Sequence, residues 1–285
     1  MISEKIIARS KDLHKEYMGK QLNKLLPDEF SLVLSGGGAL GIAHLNVLRL
    51  LDENQLKPNE ILGVSMGAII GAAYALNYNH KAIYQFIEQF SNIFKWGKLS
   101  FSNGSMLATE KIRELLLLIY QDKKISDVDI PLTLVATDFS TGKAKLFNKD
   151  SDTLIVDAVL ASMAIPGIFP PVKIKSQYLV DGFIASNLPV EYARCKTILA
   201  SNVLGKNSFN EFKEKDYSFF GHTKAVLEML ERSVRLIMYN KTHEIVKDNN
   251  NIILIEPDVS NFKTFEFHKY KEIVSASKSI TLNDE

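Results

Sequence analysis

The pentapeptide Gly63-Val64-Ser65-Met66-Gly67 constrains the fold of this chain more than any other stretch. It has the form G-x-S-x-G, it follows the short apolar run Ile61-Leu62, and the small residues of Ala68 to Ala73 come directly after it. A strand, a very tight turn and a helix in this order hold the middle residue in a strained conformation with its side chain at the tip. The pattern therefore predicts that Ser65 projects from a strand end, beside a helix N-terminus that stabilises developing negative charge.

A glycine-rich turn precedes this elbow. The apolar run Phe30 to Ser35, predicted to be a buried strand, leads into Gly36-Gly37-Gly38-Ala39-Leu40-Gly41, and a helix is predicted from about Ile42 to Leu51. With the short strand Ile61 to Gly63 this makes a β-α-β unit. Because its strands are parallel, both turns are expected at the same edge of the sheet.

The glycine-rich turn is compatible with two functions. It matches G-x-G-x-x-G, but a dinucleotide site also needs an acidic residue at the end of the second strand, where this chain has Gly63-Val64-Ser65. As an oxyanion hole, three successive glycines let backbone N–H groups turn towards a small anion without side-chain obstruction. The neighbouring serine favours the oxyanion hole, and a nucleotide-binding oxidoreductase is the alternative.

The rest of the chain alternates between predicted strands and helices, which indicates one α/β domain with a largely parallel sheet. A long amphipathic helix is predicted at Ala225 to Tyr239, with Val226, Leu230, Val234 and Ile237 on one face. Residues 1–26 also show an amphipathic, lysine-rich pattern. That segment is interpreted as a helix packed on the domain edge, with a basic face that touches anionic lipid as the alternative.

Net charge, cysteine content and the length of apolar runs indicate which partners and which compartment to expect. The 285 residues carry a formal net charge of +1, so nothing indicates a nucleic-acid partner. Cys195 is the single cysteine, which permits no internal disulfide and favours a reducing compartment. The polar N-terminus lacks the apolar core of a signal peptide, and runs such as Leu115 to Tyr120 are far shorter than the ~20 residues of a membrane span. We therefore expect a cytoplasmic protein whose contact with membranes is peripheral.

Ser65 needs a general base, and two residues are candidates. His268 follows the last predicted strand, where α/β-hydrolase triads place their histidine, but bulky residues and no turn glycine flank it. Asp181 ends a predicted strand, precedes Gly182 and can point to the sheet edge that holds Ser65. Aspartate is a weak base with a free pKa of ~3.9, and burial would raise that pKa. Asp181 is the better candidate, and an esterase that uses His268 is the alternative.

Four separated stretches together resemble the characteristic blocks of patatin-like phospholipases, in the order of that family. The resemblance covers roughly residues 30 to 200, and the four stretches are Gly36-Gly37-Gly38-Ala39-Leu40-Gly41, Gly63-Val64-Ser65-Met66-Gly67, Ala161-Ser162-Met163-Ala164-Ile165-Pro166-Gly167-Ile168-Phe169-Pro170 and Asp181-Gly182. Two positions depart from the family pattern: Leu40 stands where the family usually has Arg or Lys, and Phe183 stands where Gly or Ala commonly follows Asp-Gly.

The resemblance implies a three-layer α/β/α fold with a mainly parallel central sheet. With the amphipathic pattern of the first residues, it leads us to expect an N-terminal amphipathic helix extension over residues 1–28 and a patatin-like catalytic domain over residues 29–285. It implies calcium-free hydrolysis of lipid acyl esters by a Ser65–Asp181 dyad, with no metal or cofactor. Gly36, Gly37 and Gly38 would form the oxyanion hole, with N–H groups of Gly37 and Gly38 as donors and Gly36 shaping the turn. A phospholipid or another acyl ester would be the substrate, and a non-catalytic membrane-associated regulator is a further alternative.

Two more hypotheses concern the substrate. A hydrophobic acyl groove is needed, and its candidate lining is Met66, Met106, Leu107, Phe139 and the loop from Ile165 to Phe169. The aromatic, glycine-containing stretch from Trp96 to Met106 is interpreted either as a lid over the site or as a surface loop.

Overall fold

The computed structural model describes residues 18–96, 104–210, 222–278 and 280–282. A mixed sheet with helices on both faces makes a three-layer α/β/α fold. The strands are β1 Phe30–Leu34, β2 Glu60–Val64, β3 Leu132–Asp138, β4 Ala144–Phe147, β5 Val172–Ile174, β6 Gln177–Asp181, β7 Thr197–Ser201, β8 Ile252–Pro257 and β9 Ile280–Leu282. The helices are α1 at residues 18–25, α2 His44–Glu53, α3 Met66–Ala75, α4 His80–Trp96, α5 Gly104–Tyr120, α6 Ile155–Ser162, α7 His222–Val246 and α8 Tyr270–Ala276.

The centre of the sheet is parallel, as the sequence predicts. Its strand order is β5-β6-β3-β2-β1-β7-β8-β9, with β4 paired to β3 off this path. The pairs β3·β2, β2·β1, β1·β7 and β7·β8 are parallel, whereas β4, β5, β6 and β9 join the sheet in antiparallel pairs. The sheet is therefore parallel in its middle and antiparallel towards both edges.

One edge of β3 brings two separated parts of the chain together. Strand β2 pairs with residues 132–135 of β3, and β6 pairs with residues 136–138. Strand β4 pairs with residues 134–137, which overlap both of these stretches. Strand β4 must therefore lie along one edge of β3, and β2 and β6 along the other. Strands β2 and β6 therefore follow one another along the same edge. Val64 is opposite Val135 and Asp181 is opposite Ala136, so Asp181 lies next to the turn that follows β2.

Alternating side chains of the strands supply two hydrophobic cores. In β1, Leu32 and Leu34 belong to the larger core, which includes buried side chains of α2, α3, α4 and α6. Val33 belongs to a smaller core on the other face. Met18 and Leu22 of α1 are also part of the larger core, so the described end of the N-terminal segment packs against the domain. Leu40 is fully buried there too, which explains how an apolar residue is accommodated at a position that is usually basic in the family it resembles.

Two helices differ from the sequence-based expectation. After the glycine-rich turn the chain first forms a 3-10 helix, Gly38–Ala43, and α2 begins only at His44. In α7 the face predicted to be apolar lies in solvent: Val226, Leu230, Val234 and Ile237 are all exposed, and the helix packs through Met238 and Thr242. Within the described ranges, no helix is both long and apolar enough to cross a bilayer.

Candidate active site

Ser65 occupies the predicted nucleophile elbow. It follows β2 directly and caps α3 with φ 54° and ψ −119°, a strained conformation for a residue other than glycine. Gly67 must be glycine for reasons of space, because a Cβ there would lie 2.4 Å from the carbonyl oxygen of Leu34 and 2.6 Å from that of Ser35. Ser65 is 5% exposed, so its side chain lies in a recess and not on an open surface.

Ser162, the last residue of α6, fixes the backbone of this elbow. The N–H of Ser65 donates to Ser162 Oγ over 2.9 Å, and the hydroxyl of Ser162 donates in turn to the carbonyl oxygen of Val135 over 2.6 Å. Ser162 is fully buried. The hydroxyl of Ser162 therefore links the strained turn, which follows the end of β2, to the backbone of the neighbouring strand β3.

Asp181 accepts a hydrogen bond from the side chain of Ser65. Ser65 Oγ donates to Asp181 Oδ2 over 2.6 Å, and the N–H of Phe183 donates to Asp181 Oδ1 over 3.0 Å. The carboxyl group is fully buried, and this burial raises its pKa from 3.8 to about 7 although both hydrogen bonds lower it. Burial therefore makes this aspartate a base of useful strength near neutral pH.

The glycine-rich turn lies beside the serine. The N–H of Gly36 donates to the backbone oxygen of Asn187 over 3.1 Å, so Gly36 contributes shape to the turn and no free donor. Within the described residues, no acceptor takes the N–H of Gly37 or of Gly38. These two N–H groups therefore have no acceptor in the described part of the chain, and their role as oxyanion donors stays a prediction.

Gly38 has φ +55°, in the left-handed region that favours glycine. A Cβ at Gly38 would lie 2.4 Å from the carbonyl oxygen of Thr264, which itself accepts the N–H of Ala39 over 2.7 Å. The segment around Thr264 thus contacts and fixes the glycine-rich turn.

The buried side chain of His44 fixes the residue that precedes this turn. Its Nε2 donates to the carbonyl oxygen of Ser35 over 2.9 Å, and burial lowers the pKa of this histidine to about 4.

An apolar pocket opens above Ser65. The cavity, of about 530 Å³ including its mouth, is lined by Gly38, Ser65, Met66, Ile69, Phe90, Met163, Ile165, Ile168, Phe169, Phe265 and Phe267. Of the residues predicted to line an acyl groove, Met66 and three residues of the loop, Ile165, Ile168 and Phe169, line this cavity, whereas Pro166 and Gly167 do not. Phe139 does not line the cavity and its side chain is 57% exposed, because it lies in the turn that connects β3 and β4. The side chains of Met106 and Leu107, and residues 97–103 of the predicted lid, lie outside the described part of the chain.

His268 does not replace Asp181 in this geometry. It belongs to the 3-10 turn Phe267–Lys269, while the hydroxyl of Ser65 is directed to the aspartate. In the residues that the structure describes, no three His, Cys, Asp or Glu side chains converge to hold a metal ion.

Sequence reasoning missed the polar residues that support the site. Ser162 belongs to the family-like stretch from Ala161 to Pro170, and the one detectable signal of its role is that it is a serine in the otherwise apolar end of the helix Ile155–Ser162. Thr137 Oγ1 donates to the backbone oxygen of Asp181 over 2.9 Å. Asn187 is buried, and neither polar atom of its side chain has a partner in the described residues. A Cβ on Gly36 would lie 2.7 Å from Asn187 Oδ1 and 3.3 Å from Ser65 Cβ, which places the amide of Asn187 close to Ser65.

We expect Ser162→Ala to destabilise the protein by about 1–3 kcal/mol, because it removes the acceptor of the buried N–H of Ser65 and a donor to the carbonyl oxygen of Val135. Turnover should fall as well, since the elbow loses the bond that fixes it. Urea unfolding and ester hydrolysis measure the two effects. Ser91→Ala is the matched control: Ser91 is equally buried, and its Oγ has no partner in the described residues, so its loss should cost little. Equal losses in both variants would contradict the role of Ser162.

Fold and site together define an α/β protein with a serine nucleophile elbow and a buried aspartate as hydrogen-bond acceptor. The model of the family described as patatin-like phospholipase matches residues 32–194, more than half of the chain. The chain belongs to the patatin-like phospholipase family.

Individual relatives are more distant. Patatin-like phospholipase domain-containing protein 6 from Mus musculus is 28% identical over 305 aligned residues, which cover 95% of this chain and 21% of the relative. Lysophospholipase NTE1 from Candida glabrata is 26% identical over 286, which cover 91% of this chain and 16% of the relative. The chain thus spans between about a sixth and a fifth of the length of these curated relatives. The crystal structure of VipD from Legionella pneumophila aligns with a TM-score of 0.46 and 14% identity, over 90% of this chain and 68% of that one.

Proposed function

We propose that this protein is a serine hydrolase of lipid acyl esters that works through an acyl-enzyme, with Ser65 as the nucleophile and Asp181 as the base. The observation that carries the proposal is the 2.6 Å hydrogen bond from Ser65 Oγ to a buried carboxylate, at an apolar pocket. Nucleophile and base within hydrogen-bond reach are the signature of covalent catalysis by an activated hydroxyl.

In the first step, Ser65 Oγ attacks the carbonyl carbon of the ester while Asp181 Oδ2 takes the hydroxyl proton. The carbonyl oxygen becomes an oxyanion, and the N–H groups of Gly37 and Gly38 are the donors placed to bind it. The N-terminus of α3, at Met66, adds its partial positive charge. As the tetrahedral intermediate collapses, the bond to the alcohol breaks, the alcohol leaves with the proton held by Asp181, and the acyl group stays on Ser65.

In the second step, water attacks the acyl-enzyme and Asp181 accepts its proton. The bond between the acyl carbon and Ser65 Oγ breaks, the proton returns to Ser65, and the carboxylic acid is released. A pKa of about 7 suits both roles of Asp181, because the group then gains and loses a proton at similar free energy near neutral pH.

The substrate class follows from the pocket lining. Its side chains beyond Ser65 are apolar, and they include three phenylalanines, Phe90, Phe169 and Phe267, that are almost fully buried. Such a pocket favours a hydrocarbon chain over a polar acyl group. A relative named as a lysophospholipase supports a phospholipid or lysophospholipid as the source of that chain.

The geometry gives little support to the nucleotide-binding alternative. Strand β2 leads into Ser65 at the position where a ribose-binding acid would be needed. The glycine-rich turn opens a six-residue 3-10 helix, Gly38–Ala43, and not the α-helix whose N-terminus binds a pyrophosphate. The remaining alternative is a regulator without catalytic activity, and the following experiment distinguishes it from an enzyme.

A fluorophosphonate probe tests the proposal. Ser65 Oγ is expected to attack phosphorus with loss of fluoride, and mass spectrometry should locate the adduct on the peptide that contains Ser65. Ser65→Ala should give no adduct and no hydrolysis of a long-chain acyl ester, with its melting temperature unchanged by more than a few degrees. Hydrolysis retained by pure Ser65→Ala protein would refute the proposal, and a native protein that neither reacts nor hydrolyses would favour the regulator.

A further inference from the structure

We propose that the outward face of α7 is the surface through which this protein docks on a phospholipid bilayer. The inference rests on the proposed function, because it names the lipid surface from which the site would draw its substrate. It extends that function by assigning the contact to a helix that takes no part in catalysis.

The face is defined by six large apolar side chains that point to solvent. These are Val226, Met229, Leu230, Val234, Leu236 and Ile237, with exposed fractions between 39% and 59%. Spacings of three and four residues place most of them along one side of the helix. The opposite side is buried in the protein at Met238 and Thr242. A contiguous apolar surface of this kind on a globular protein marks an interaction site.

The helix lies across the two loops that flank the candidate active site. At one end, Glu228 Oε1 accepts from Lys263 Nζ over 2.7 Å, and Glu231 Oε1 accepts from the N–H of Thr264 over 3.0 Å. Thr264 in turn contacts the glycine-rich turn at Ala39. At the other end, Lys241 Nζ donates to the backbone oxygen of Ala185, four residues after Asp181.

Phe265 connects this face to the pocket. Its side chain lines the cavity above Ser65 and is nevertheless 46% exposed, so it lies at the mouth. The adjacent Thr264 is the residue that α7 holds through Glu231. A protein partner seated on α7 and Phe265 would cover this entrance, whereas a lipid surface would bring acyl chains to it. The occupant that fits the location is therefore a bilayer.

The arginines of the helix are bonded to the protein and do not define the contact with lipid. The side chain of Arg235 is 13% exposed and donates to the backbone oxygen of Ser208, and Arg232 donates to the backbone oxygen of Asn210 over 2.9 Å. The docking contact therefore comes from the exposed apolar side chains, because an amphipathic helix buries its apolar face in the bilayer interface.

The test is co-sedimentation of the full chain with vesicles of phosphatidylcholine and of phosphatidylcholine mixed with phosphatidylglycerol. Leu230→Glu/Ile237→Glu should weaken vesicle binding by about 10- to 100-fold, because two apolar side chains no longer enter the interface and two negative charges face the lipid. Leu117→Glu/Leu118→Glu is the matched control, since these leucines of α5 are also exposed but lie outside the pocket lining, and its binding should equal that of the native protein.

Two further measurements separate this inference from the proposed function. Hydrolysis of a water-soluble short-chain ester should be unchanged in Leu230→Glu/Ile237→Glu, and Ser65→Ala should bind vesicles normally. If native protein binds vesicles through α7 but cleaves no ester, the docking surface stands and the proposed function fails. Equal vesicle binding by the α7 variant and the native protein would overturn the inference. So would a native dimer that the α7 variant dissociates in light scattering, because the face would then bind a second copy.

Discussion

Asp181→Asn is expected to lower kcat by about 10²–10⁴-fold and to make the protein more stable above pH 7. The loss of rate follows because the amide cannot take the proton of Ser65, whose hydroxyl is held 2.6 Å from the carboxylate. In the native protein, kcat/KM should fall as the pH drops below about 7, since protonated Asp181 is no base. The variant's residual activity should lack this acid limb.

In the native protein, the contribution of Asp181 to folding stability depends on pH in the opposite direction to that of most carboxylates. The folded pKa of Asp181, about 7, lies above the unfolded value of 3.8, so the folded state holds a proton that the unfolded state has released between these pH values. Stability therefore falls as the pH rises from 3.8 to 7, and above pH 7 the ionised, buried group costs at most roughly 4 kcal/mol. An uncharged asparagine removes that cost.

Thermal unfolding at pH 5 and pH 8, with hydrolysis rates over the same range, measures both effects. Asp138→Asn is the matched control: Asp138 ends β3, and a hydrogen bond from Gln177 lowers the pKa of its carboxyl group instead of raising it. That variant should keep its activity and gain no stability at pH 8. An Asp181→Asn protein with native turnover, or one less stable than native at pH 8, would contradict the assigned role of Asp181.

The sequence predicts the β-α-β unit and the elbow well because both are local. Close backbone approach makes glycine necessary at Gly67, and such constraints are visible as a motif. The sequence predicts that Asp181 lies near Ser65 because it ends a strand, and this reason is incomplete. Asp181 ends a strand, as expected, but β6 is antiparallel to β3, and the residue reaches Ser65 because β2 and β6 share one edge of β3. Strand pairing between distant segments is not encoded in either segment alone.

A local motif does not predict the residues that support the site. It does not predict the exposure of α7 either. Ser162 and Thr137 act through single hydrogen bonds to the backbone of other segments, and nothing in their own neighbourhood indicates which backbone atom they meet. For α7, periodicity identifies an apolar face correctly but does not say whether protein or solvent covers it. Leu230 and Ile237 are exposed because the helix packs through its other side, at Met238.

Gly38→Ala should reduce turnover by about 10²–10³-fold, the loss typical of one oxyanion donor. The methyl group would lie 2.4 Å from the carbonyl oxygen of Thr264, and the backbone must leave φ +55° or push Thr264 away. Either movement displaces the N–H of Gly38 from the site. KM for a soluble ester should change less than kcat, because Gly38 is only one of the eleven residues that line the pocket.

Gly142→Ala separates this effect from backbone strain. Gly142 also has a positive φ, +70°, and a Cβ there would meet no atom within 4 Å, so alanine adds a similar conformational cost without a collision. Both variants should lose about 1 kcal/mol from the left-handed conformation. Only Gly38→Ala should lose turnover, measured as kcat in protein shown to be folded by circular dichroism. If both variants kept native kcat, the N–H of Gly38 would not be a donor to the oxyanion, and the hole would depend on Gly37 alone.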